Sequence, residues 1–260
     1  MTVYTETQPA PASGPTAAPV VHRMRAVLRI HIANPWQTLI LPWIITLLIF
    51  GGNAAIWGMI TYSAGGSDNV ETSAFQSNGG ITWIYVYMLI VAVQAMHFTF
   101  RFALGFSVTR RDYYAGTLLY FITLAAYYTV GLTALVLLER ATDGWWLGGS
   151  FFAPLGLTTA PVASVAYTSF AAMLLAFGVG AASAAVWVRW GAPGLYWMFG
   201  ILTVVGIVAL WGATVLEAWP TVWEFLSTTS VVALVSWTLP VTALAALAGY
   251  VLLRRSPVRS

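Results

Sequence analysis

"YYAGTLLYFITLAAYYTVGLTALVLL", residues 113–138, runs its whole length without a charged side chain. A membrane-spanning helix needs about 20 mostly apolar residues, and this stretch exceeds that. It is too long for a strand and lacks the alternation of an outer-barrel wall. Within lipid, a helix is then the remaining way to satisfy each backbone N–H and C=O. Five further runs have the same character: 37–62, 81–104, 164–188, 194–216 and 229–253. Composition agrees, with 59% hydrophobic and 7% charged residues and a mean hydropathy of +0.80. A soluble domain averages about 25% charged residues. The fold expected is an all-α polytopic membrane protein with six transmembrane helices in one domain, 21–255. Residues 1–20, rich in Pro, Thr and Ala, read as a disordered tail and not as a signal peptide, since they have no apolar core. Residues 256–260 form a second short tail.

Arginine placement gives the orientation. Arg23, Arg25 and Arg29 precede the first run, and Arg101, Arg110 and Arg111 lie between the second and third. Arg189 separates the fourth from the fifth, and Arg254, Arg255 and Arg259 follow the sixth. All of these fall on one side, leaving only Arg140 on the other with Asp68, Glu71, Glu139, Asp143, Glu217 and Glu224. The positive-inside rule puts both termini in the cytoplasm. Tryptophans at span boundaries, such as Trp36, Trp83, Trp145 and Trp219, suit the headgroup level. Residues 21–34 form a basic amphipathic stretch with Arg25 and Arg29 on one face, expected as an interfacial helix cut off from the first span by Pro35. On the outer side, 139–161 reads as a folded aromatic cap, and 217–230 as a loop with a short helix starting at Pro220.

Several chemistries are excluded. There is no cysteine, so disulfides, thiolate metal sites and thiol catalysis are absent. There is no lysine either, so a P-loop cannot form, and ATP hydrolysis by that route would need another chain. No Asp or Glu lies in mid-span, which argues against an ion-coupled carrier. Gln94, His97 and Arg101 share one helix face as a polar strip, either in a pathway or structural; one histidine makes no metal site. The basic pI of 9.3 comes from arginines scattered among spans and does not point to nucleic acid. Small residues at Gly178/Ala182, Gly180/Ala184 and Ala245/Gly249 mark close helix packing, within one chain or between two. Pro42 and Pro240 are expected to kink their spans.

At the head of 113–138 stands "GFSVTRRDYYAG" (105–116), a tight link bearing three charges. Thr109 with Asp112 three residues on approximates a capping box and places the helix start near Arg110. Asp112 also suits the positive helix end. This stretch resembles the link between the second and third spans of permease subunits of type-2 class ABC transporters. Those often read Gly, a few residues, Arg-Arg, an acid, two aromatic or aliphatic residues and Gly, matched here by Gly105, Ser107, Val108, Thr109, Arg110, Arg111, Asp112, Tyr113, Tyr114 and Gly116. The resemblance takes in most of 20–255, including the span count, the interfacial helix and the outer segment before the last span. It departs in "HFTFRFALGF" (97–106), where many members carry an acid.

The resemblance implies a half-transporter in the cell membrane, in which two permease copies, identical or sister chains, face each other. A separate cytoplasmic ATPase, carrying the ATP and Mg, would bind below each near 98–112. Phe102, Gly105, Phe106, Thr109, Arg110, Arg111 and Asp112 would be the coupling residues, and an amphipathic or lipidic substrate would leave along the subunit interface. From the residues alone, a solitary carrier or channel and a non-transporting membrane anchor stay open.

Overall fold

The computed structural model describes residues 35–66, 69–70, 75, 79–105, 109–153 and 156–254, with the backbone alone over 97–105. The expected interfacial helix with Arg25 and Arg29, both terminal tails and Phe106 lie outside the described residues. The described residues are mostly helical: α1 (Trp36–Ser63), α2 (Thr82–Gly105), α3 (Arg110–Ala141), α4 (Val162–Trp190), α5 (Ala192–Val215), α6 (Trp219–Thr228), α7 (Val231–Ser236) and α8 (Thr238–Arg254). Among the described residues five helical stretches are long and apolar enough to cross a membrane: α1, α3, α4, α5 and the α7–α8 pair. Large apolar side chains face outward along them, including Leu48, Val130, Val208 and Trp211. Water does not tolerate so continuous an apolar surface, so the build is that of a multi-pass membrane protein. The helix α2 occupies the remaining expected run.

The central helix is α4, which packs against α2, α3 and α8. It does so because its inward face is small. A Cβ on Gly180 would stand 2.5 Å from the Leu89 carbonyl oxygen of α2. One on Gly178 would stand 3.2 Å from the Thr242 methyl of α8. The small residues thus serve packing within one chain. After Gly191, whose φ of 69° suits glycine, α5 runs back along α4 and buries none of its own residues. The sixth apolar run breaks at Trp237 into α7 and α8. Pro240 sits in the first turn of α8, where its missing N–H is tolerated.

The first turn of α1 is π-helical over Trp36–Ile40, with the Leu41 N–H donating to the Trp36 carbonyl. Pro42 cannot donate to the Thr38 carbonyl. Tyrosine hydroxyls from α2 and α3 make good the deficit. Tyr128 donates to Thr38 O at 2.6 Å, Tyr87 to Gln37 O at 2.8 Å and Tyr127 to Leu39 O at 3.3 Å. Trp43 lies over Tyr128, its Nε1 donating to Tyr127, in space left by Gly131. The turn therefore sits about 27 Å along α3 from Arg110, at 1.5 Å per residue. Tyr128→Phe strips Thr38 O of its donor and is expected to cost about 1–2 kcal/mol, read as a lower melting temperature in detergent. A wild-type melt would mean that the hydroxyl holds nothing.

Candidate functional site

Thr109 has extended backbone angles, and its hydroxyl accepts the Asp112 N–H at 3.1 Å. That cap starts α3 at Arg110, while α2 runs to Gly105, so four residues, 106–109, join the two helices. The cap turns Asp112 and Tyr113 inward, where both are buried, and Tyr113 donates to Ala95 O of α2 at 3.1 Å. Arg111 points outward and is exposed.

Arg110 has a different fate. Its Nη1 reaches Arg254 O at 2.9 Å and Leu253 O at 3.5 Å, the last carbonyls of α8. A helix C-terminus leaves such carbonyls without intrahelical donors and carries partial negative charge. The guanidinium answers both needs. One turn further on, Tyr114 donates to Ala246 O and its ring packs against Tyr250. The start of α3 and the end of α8 are bolted together by residues more than a hundred positions apart. Arg110, Arg111, Tyr250, Leu253 and Arg254 then line a cavity at this end of the bundle. Glu139 and Asp143 lie at the opposite end of α3.

Of the polar strip, Gln94 is exposed on α2. The side chains of His97 and Arg101, like those of Phe102 and Gly105, fall outside the described residues. Among the described residues no three His, Asp or Glu side chains gather as a metal site.

The opposite end holds a constellation for which sequence reasoning assigned no role. Glu139, in the last turn of α3, is fully buried. Its Oε2 accepts from Trp145 Nε1 at 2.9 Å, Phe151 N at 2.8 Å and Phe152 N at 3.0 Å. Its Oε1 accepts from Ala153 N at 3.2 Å and lies 3.1 Å from Ser150 Oγ. Arg140 Nη2 donates to Leu157 O and Ala160 O at 2.6 and 2.7 Å, tying down the far end of the same loop. Between them Asp143, Gly144, Trp145 and Trp146 all have positive φ, a left-handed turn disfavoured for side-chain-bearing residues. Phe50 of α1 packs on Trp145, Phe151 and Phe152, and Trp57 lies flat on Gly149 and stacks on Phe75. The cap expected over 139–161 is thus, among its described residues, a folded unit centred on a carboxylate. The signal for it was an acid placed at helical spacing below Leu132 and Val136, on the buried face.

Searches of family models, curated proteins and solved structures return no match to this chain.

Proposed function

We propose that the chain is the permease subunit of an ATP-driven exporter, with six spans and both termini in the cytoplasm, moved by a separate ATPase that grips the 106–112 link. The observation that carries this reading is the bolt between α3 and α8. Force applied at a four-residue link reaches α3 through its capped first turn, and the last span through Arg110 on Leu253 O and Arg254 O. A capped helix start joined to two spans is what a mechanical input needs. The chain's want of a P-loop, and of a mid-span carboxylate to couple to an ion gradient, both agree with energy supplied from outside it. The substrate class in keeping with an uncharged aromatic interior is amphipathic or lipidic.

Purification of the native complex tests this. An ATP-hydrolysing protein should co-purify, and its turnover in nanodiscs should respond to the permease. Arg111→Glu should lower that coupled turnover about tenfold, the worth of one charge-assisted contact, while the variant inserts and melts as wild type. Arg110→Glu should instead lower the melting temperature, because its partner is internal. Transport in liposomes without ATP would mean a solitary carrier, and a complex with no ATPase would mean an anchor.

A further inference from the structure

The Arg110 end of the bundle offers a second chemistry that needs only a bilayer, not an ATPase. The cavity between the start of α3 and the end of α8 measures about 380 Å³ and is lined by Arg110, Arg111, Tyr250, Leu253 and Arg254. Among the described residues no acidic side chain lines it, and Asp112 beside it is buried under the first turn. Two helix ends of opposite polarity meet here. Arg110 covers the carbonyls of the negative one, which leaves the positive end of α3 with Arg111 and Arg254 to set the field.

The cavity does not stand alone. Along α3, Arg110, Tyr114, Leu118 and Phe121 follow at helical spacing; along α8, Arg254, Tyr250, Ala246 and Thr242 do the same in the opposite sense. Deeper in the bundle lies a small apolar pocket walled by Met96, Tyr114, Phe121, Phe177 and Thr242, shut off from the cavity by Tyr114 on Ala246 O and Tyr250. Leu247 and Val251, at helical spacing before Arg254 on one face of α8, are exposed and apolar. An anionic notch-filler that continues into an apolar tail has one common form in a membrane. We propose that this site binds an anionic phospholipid, with its phosphate on Arg111 and Arg254 and one acyl chain along Leu247 and Val251 on the exposed face of α8. Concavity and the exposed apolar flank of α8 beside Arg254 favour a lipid over the acidic surface of a protein. The site also bridges the bolt, so the occupied form holds α3 and α8 together.

The test uses the full chain alone, delipidated in detergent, by native mass spectrometry and thermal melting with phosphatidylglycerol, phosphatidylcholine or soluble glycerol phosphate. Phosphatidylglycerol should bind and raise the melting temperature, and the other two should do neither. Arg254→Ala, which leaves the 106–112 link untouched, should weaken phosphatidylglycerol about fivefold, and Arg111→Ala/Arg254→Ala about thirtyfold. Equal binding of phosphatidylcholine, or full retention in the double variant, overturns the site. Glycerol phosphate binding as well as phosphatidylglycerol overturns the lipid and leaves a soluble anion. Displacement of bound phosphatidylglycerol by the co-purifying ATPase would give the notch to that protein instead. No ATPase enters the other arms, so an exporter reading that fails leaves this one standing.

Discussion

Glu139→Gln should loosen the cap over 139–161 while the bundle stays inserted. The native carboxylate gathers three backbone N–H groups, an indole N–H and a serine hydroxyl into one buried point. An amide offers one oxygen and sets an NH₂ group against donors that have nowhere else to turn. Hydrogen bonds to an ionised acceptor are the strong kind, and orphaned buried donors are costly, so a loss of about 2–4 kcal/mol is expected. The left-handed turn adds to this. Asp143, Trp145 and Trp146 each sit at a φ that costs an L-residue about 1–2 kcal/mol, and the contacts to Glu139 are what offset it. Without them the turn should relax. The readouts are a lower melting temperature, new protease cleavage within 142–161 and a changed Trp emission. Unchanged cleavage and melting would show that the cap holds itself together by its aromatic packing.

Gly180→Leu should be the most damaging single change in the bundle. Its Cβ would meet the Leu89 carbonyl oxygen at 2.5 Å and the Ala92 Cβ at 2.7 Å. One of these is backbone and the other a side chain with no rotamer to change. Only separation of α2 from α4 makes room, and overpacking of this kind costs about 3 kcal/mol or more. Gly178→Ala is the natural control. It meets the Thr242 methyl at 3.2 Å, a group that turns aside, and should cost less than about 1 kcal/mol. Size-exclusion profiles and melting curves of the two variants should diverge sharply. A monodisperse, wild-type-like Gly180→Leu protein would mean that α2 and α4 do not approach this closely.

What the sequence made legible was the part governed by local rules. Helices follow from apolar length, so their bounds fall within about three residues of the expected runs, in line with the usual fraying of helix ends. Thr109 as the cap of α3 was equally plain, because the acceptor and its N–H lie three residues apart. Pro42 and Pro240 were expected to kink their spans, whereas each stands in the first turn of a helical segment, after the π-helical turn of α1 and after the break that splits one expected span into α7 and α8. The rest depended on contacts between distant positions. Arg110 reads as one more inner-side charge until α8 ends beside it. Glu139 reads as a span-end acid until the loop folds over it, and Arg140, the arginine on the wrong side for a topology signal, proves to be a loop anchor. The tyrosines of α3 carry no local signal of their role, because the turn before Pro42 takes its hydroxyl donors from neighbouring helices.

That turn has a mechanical meaning. The helix α1 buries only Pro42, Thr46 and Trp57 of its own residues, and is fastened at its first turn by the tyrosines and further along by Phe50 and Trp57. Its upper fastening is a broad aromatic bed, but its lower one consists of rotatable phenols facing three successive carbonyls. The first helix is therefore held at that end by side chains alone, and Trp43, seated over Gly131 and stacked on Tyr128, is the piece that keys its register to α3.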